Sequence, residues 1–129
     1  RVYFTIDFRH PEQKVIDNIH RKITPICNKH AGVCKVNVSQ IIDCPPVHFD
    51  EDIMELIKTA ASTIGHNHLL MPSGAGHDAG HISKLCPTGM IFVPCKGGVS
   101  HNELESSEPE DLVSGIQTLT ACLVELANK

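Results

Sequence analysis

The chain has 129 residues and a mass of 14.1 kDa, the size of one ordinary domain or of two small pieces. With 41% hydrophobic and 20% charged residues, eight prolines and nine glycines, it is neither disordered nor collagen-like. Eleven basic against fifteen acidic residues give a net charge of -4, which speaks against a nucleic-acid partner. No apolar run approaches the roughly 20 residues that cross a bilayer, so no membrane association is expected.

The chain opens in what reads as a strand already under way, with no initiator Met and no signal peptide. Val2 to Phe8 alternates β-branched and aromatic residues as a half-buried strand does. Pro11 suits the first turn of a following helix, whose apolar positions Val15, Ile16, Ile19 and Ile23 lie at helical spacing. Pro25 is expected to kink or end that helix early, and Gly32 stands where a C-cap residue would. Val33 to Ile42 alternates again, so the first third predicts β-α-β. Cys44-Pro45-Pro46-Val47-His48 breaks the pattern and reads as a hinge between two units.

Beyond the hinge, Asp50 can cap a helix that carries Ile53, Ile57, Ala60 and Ile64 on one face and ends at Gly65. Leu69 to Met71 and Gly89 to Val93 read as short buried strands. The stretch between them is long enough for a crossover helix and hence for parallel pairing. In the last helix, Ser107 and Glu110 form a capping-box pattern with Pro109 in the first turn. Its apolar stripe is Leu112, Ile116, Leu119, Leu123 and Leu126. The second unit is therefore α-β-α-β-α, and the fold class is α/β. Cys27, Cys34, Cys44, Cys86, Cys95 and Cys122 include no C-x-x-C pair and read as buried reduced thiols of a cytoplasmic protein.

Nine histidines are many for this length. If the two short strands are parallel neighbours, the loops that leave them emerge at one sheet edge, where open α/β sheets place their sites. Those loops are Pro72-Ser73-Gly74-Ala75-Gly76-His77-Asp78 and the run from Lys96 through Gly97, Gly98 and His101 to Glu105. Each offers glycines and then a histidine, and Gly76 precedes a helix start whose amides could hold an oxyanion. Two ordinary turns with exposed histidines fit the same pattern. His77 and His81 at i, i+4 echo a helical zinc site, but Gly80 weakens the helix and Asp78 is shorter than the glutamate of that motif. Arg9 shares a strand face with Asp7, where pairing competes with recognition of a substrate carboxylate.

Together these strings resemble a known family. Ser73-Gly74-Ala75-Gly76-His77-Asp78-Ala79, Met90-Ile91-Phe92-Val93-Pro94, Gly97-Gly98-Val99-Ser100-His101 and Glu105 resemble the closing section of the M20-type amidohydrolases. The branch indicated is that of the N-carbamoyl-L-amino-acid hydrolases, with β-ureidopropionase and allantoate amidohydrolase as relatives. Ile6-Asp7-Phe8-Arg9-His10-Pro11 resembles the strand-to-helix junction of that branch's lid, or dimerisation, domain.

The resemblance implies residues 1–44 as part of the lid, 45–49 as the hinge and 50–129 as the C-terminal part of the catalytic domain. It implies His101 as a ligand to one of two divalent metals, zinc or manganese. His77 and Gly76 would contact substrate, His77 and Asp78 would serve catalysis, Arg9 would bind the substrate carboxylate, and Glu105 would support the metal site. It implies a small ureido or N-carbamoyl acid as substrate and a homodimer formed through the lid of the full-length protein. Two positions depart from the family pattern: no proline follows two residues after His101, and Ser106 stands where an aromatic residue is common. The remaining family ligands and the lid asparagine lie upstream of this stretch. One histidine cannot hold two metals, so the expectation is an inactive C-terminal fragment with an incomplete metal site. The alternatives are a non-catalytic α/β dimerisation or interaction module, and a lone metal-binding domain using His66, His68, His77 and His81.

Overall fold

In the computed structural model, which describes residues 1–128, helices occur in the order α1 (Gln13–His30), α2 (Glu51–Ile64), α3 (Ala79–Ile82) and α4 (Pro109–Ala127). A three-residue 3₁₀ turn, Lys96–Gly98, precedes α4. The chain divides into two compact units, Arg1–His48 with Pro72–Ala75, and Phe49–Met71 with Gly76–Lys129.

In the first unit the helical spacing of Val15, Ile16, Ile19, Ile23 and Cys27 makes one half-buried face of α1. The helix starts behind Glu12, so Pro11 lies just ahead of it rather than in its first turn. Pro25 does not end it. The helix continues to His30 and forgoes the hydrogen bond that a residue with an N–H would give the Arg21 carbonyl. Lys29 and His30 set positive charge against the C-terminal end of the dipole. The C-cap is Ala31, one residue earlier than expected, with Gly32 following at φ +59°.

The largest difference from expectation concerns the strands. Among the described residues, Val2–Phe8, Val33–Ile42, Leu69–Met71 and Gly89–Val93 form no hydrogen-bonded ladder. Alternation shows what the side chains could pack against, but a strand also needs a neighbour whose backbone completes its hydrogen bonds. In Val2–Phe8 the same lack of cover leaves Val2 86% and Phe4 77% exposed.

The second unit is built on α2 and α4, which pack together. The Asp50 carboxylate caps α2 by accepting from Ile53 N at 3.0 Å. Gly65, at φ +87°, supplies the left-handed residue that lets its own N–H reach Ser62 O and His66 N reach Ala61 O. Segment 89–93 runs against both helices. A Cβ on Gly89 would sit 2.7 Å from Ile53 Cγ2, and one on Gly115 would sit 2.6 Å from Val93 Cγ1. Both neighbours are β-branched and stiff. Gly89→Ala should therefore lower stability by about 1–3 kcal/mol, read as a lower urea midpoint with an unchanged slope; an unchanged midpoint would refute this packing.

The capping box at the start of α4 does not form. The N-cap is Glu108, so Ser107 stands one residue too early, although Pro109 is in the first turn as expected. The stripe of large residues is not the packed face either. Thr118 and Cys122 are buried, with Gly115 and Ala121 on the same side, while Leu112, Ile116, Leu119, Leu123 and Leu126 are exposed. Small residues allow close approach to α2 and Val93, and the Leu stripe lies about a third of a turn away. The crossover reduces to α3, a single turn of four residues. All six cysteines are free thiols; Cys122 alone is buried, and Cys34, Cys44 and Cys86 are exposed, contrary to the expectation of general burial. No helix among the described residues is long and apolar enough to cross a membrane.

The chain exposes 10769 Å². A self-contained folded protein of its mass exposes about 6,700 Å², and two separate units of these sizes roughly 8,000 Å². A large apolar area is left uncovered.

Candidate active site

The loop after Val93 is the best-defined candidate. Gly97 and Gly98, at φ +63° and +71°, take a conformation that side chains resist, and they reverse the chain tightly enough for Lys96 N to reach Ser106 O at 2.7 Å. That bond closes the loop. Inside it, His101 also lies in the left-handed region, at φ +54°, which costs a non-glycine residue about 1–2 kcal/mol. The Glu105 carboxylate offsets part of this: its Oε2 accepts from His101 N at 2.8 Å. Its Oε1 accepts from the Cys95 thiol, with Sγ at 3.6 Å. Burial pushes the Cys95 thiol up, and the Glu105 carboxylate adds to the shift. Asn102 completes the turn, taking Glu105 N at 2.9 Å on its carbonyl and Leu104 N at 2.9 Å on Oδ1. His101 and Glu105 are therefore tied together within one closed loop.

His77 is half-buried, with its ring edge-on to Phe92 at 5.3 Å between centroids and 60° between planes. Asp78 is the N-cap of α3 but makes no side-chain cap bond. Gly80 N and His81 N bond back to the carbonyls of His77 and Asp78 at 2.9 and 2.8 Å. Those two amides are committed within the turn.

In the first unit, Arg9 is bound on two sides. Its Nε and Nη2 donate to the Asp7 carboxylate at 3.1 and 2.6 Å, and its Nη1 donates to the Gly74 carbonyl. The Arg9 guanidinium holds the Asp7 carboxyl below its usual range, and Asp7 raises Arg9 in return. The pair is exposed, so screening by water keeps its contribution to stability small. Pairing with Asp7 thus accounts for Arg9 in this state, and Gly74, its other partner, belongs to the same unit.

Among the described residues no three His, Cys, Asp or Glu side chains could together hold a metal ion. His66 is bonded through Nε2 to Gln117 Oε1 at 2.9 Å, and His68 Nδ1 lies 3.1 Å from the His66 carbonyl. These histidines do not form the cluster that a lone metal-binding domain requires. Sequence reasoning missed Cys95, Phe92 and Gln117. Cys95 meets Glu105 only because the loop closes over ten residues, and no spacing rule marks such a pair.

Residues 5–125 match the family described as Peptidase family M20/M25/M40. The chain belongs to this family. It is 37% identical over 131 residues to the N-carbamoyl-L-amino-acid amidohydrolase of Rhizobium meliloti, covering 98% of this chain and 31% of that protein. It is 36% identical over 132 residues to the allantoate amidohydrolase of Bacillus subtilis, with the same two coverages of 98% and 31%. Among solved structures, an amidase of the hydantoinase/carbamoylase family from Burkholderia multivorans matches with a TM-score of 0.86 at 32% identity, over 90% of this chain and 29% of that one. That likeness supports the α/β class. The M20 chain described here spans less than a third of the length of these relatives.

Proposed function

We propose that this chain is the C-terminal part of an M20 hydrolase that cleaves the linear ureido C–N bond of N-carbamoyl amino acids or of related ureido acids. The observation that carries the proposal is the His101 loop, whose left-handed histidine is held by Glu105, in a chain of this family. The uncovered apolar surface supports the fragment reading, since a longer polypeptide would bury it. On this reading residues 1–44 belong to a lid through which the full-length protein dimerises, residues 45–49 are a hinge, and residues 50–129 belong to the catalytic domain of a cytoplasmic enzyme.

The described residues do not by themselves fit a pair of divalent metals, zinc or manganese: His101 is one imidazole where several convergent donors are needed. The other ligands would come from elsewhere in the longer polypeptide. This chain's own residues would recognise and polarise the substrate. Arg9 has five N–H donors and uses three here, so its planar fork can still take a substrate carboxylate. As water adds to the ureido carbonyl, negative charge grows on its oxygen. A His77 N–H directed at that oxygen, with backbone from Gly76, would stabilise it. Asp78, next in the chain, would support His77. Collapse breaks one C–N bond as the leaving nitrogen takes a proton, and the carbamic acid left behind loses carbon dioxide as its own C–N bond breaks, so that ammonia, carbon dioxide and the free amine are released.

Ammonia release by the metal-loaded full-length protein, measured with N-carbamoyl amino acids, β-ureidopropionate and allantoate, tests the proposal. Turnover of at least one is expected, and failure with all three overturns the assignment. The isolated 129-residue chain should release none, even with added zinc or manganese. Turnover by that chain would overturn the fragment reading.

A further inference from the structure

We infer that Glu105 is a positioning residue that sets the direction of the His101 ring by latching the His101 backbone, with Cys95 orienting the latch. The inference rests on the reading of His101 as a ligand only for its consequence in catalysis. The latch itself stands on the loop geometry.

The direction of a side chain leaving Cα follows from φ, and His101 sits at +54°, a region that non-glycine residues occupy uncommonly. Its N–H is taken by Glu105 Oε2 at 2.8 Å. The second oxygen, Oε1, takes the thiol proton of Cys95, which stands at the opposite end of the loop. One carboxylate therefore bridges both ends. Two further bonds aim it: Glu105 N to Asn102 O at 2.9 Å turns residue 105 back toward 101, and Lys96 N to Ser106 O at 2.7 Å brings Cys95 level with it. The positive φ of Gly97 and Gly98 makes that closure possible. Cys95 serves here as a hydrogen-bond donor. Its raised pKa keeps it protonated, as a donor must be, and makes it a poor nucleophile.

The test is residue-resolved amide exchange in the metal-free full-length protein. Glu105→Ala should speed exchange at His101 about tenfold, while the amides of Leu104 and Glu105, which bond to Asn102, keep their wild-type rates. Glu105→Gln retains an acceptor oxygen and should restore most of the protection. Cys95→Ala should give a smaller increase and Cys95→Ser close to none. An unchanged His101 rate in Glu105→Ala overturns the latch, and so does equal acceleration at Leu104 and Glu105, which would mean general loosening of the loop. Metal affinity separates the latch from the reading of His101. If Glu105→Ala speeds exchange at His101 and also weakens metal binding about 10–100-fold, both stand. If exchange speeds up while metal affinity is unchanged in Glu105→Ala but falls in His101→Asn, the latch does not direct the ring and the inference is overturned; if neither substitution changes metal affinity, His101 is not a ligand.

Discussion

Replacing His101 with asparagine in the full-length protein should lower metal-dependent turnover by at least about a thousandfold, because a lost ligand removes several kcal/mol of charge stabilisation. Asparagine is the informative choice. It tolerates the left-handed conformation found at this position and keeps the N–H that Glu105 accepts, so the loop should survive the substitution. His101→Ala removes the imidazole equally but adds backbone strain. Comparison of the two separates chemistry from loop geometry. Ammonia release and bound metal per subunit are the readouts. If His101→Asn retained more than about a tenth of wild-type turnover and a full metal complement, His101 would not be a ligand.

Arg9→Ala should behave differently. A charge-assisted, two-pronged contact to a carboxylate is worth about 2–3 kcal/mol, so KM should rise roughly 30–160-fold while kcat changes only a few-fold. Arg9→Lys should recover only part of this, since an ammonium group cannot reproduce the planar fork. Little stability should be lost, because Asp7 is exposed and remains hydrated without its partner. A substrate analogue without the carboxylate supplies the control: it should bind wild type and Arg9→Ala alike. If instead kcat falls and KM stays put, Arg9 acts on the reaction rather than on recognition.

The helices were largely legible in the sequence because their signals are local. Asp50 and Gly65 bound α2 as a cap residue and a left-handed terminator should, and Pro109 opens α4. Ser107 failed as a cap by one position, since the choice between it and Glu108 depends on how the preceding loop closes. Strands were not legible in the same way. Val2–Phe8 has the required alternation, but ladder bonds belong to pairs of segments and no neighbour completes one here. The packed face of α4 was misread for a related reason: hydrophobic size marks a face that wants cover, and Gly115 and Cys122 show that close packing selected smallness. At the candidate site, the strings around His77 and His101 drew attention through their glycines. The Arg9–Asp7 pair followed from shared strand parity, whereas the Cys95–Glu105 contact depends on loop closure.

The open segment at Val2–Phe8 has a consequence for handling the protein. Val-Tyr-Phe-Thr-Ile-Asp-Phe has high β-propensity, a single charge, no proline and no glycine, which is the composition of a cross-β spine. With Val2 and Phe4 uncovered and no ladder partner among the described residues, identical segments of separate molecules can supply one another's missing neighbour. The alternation that suits this stretch to a sheet is therefore also an aggregation hazard whenever the chain is made alone, and covering it early is a condition for soluble expression.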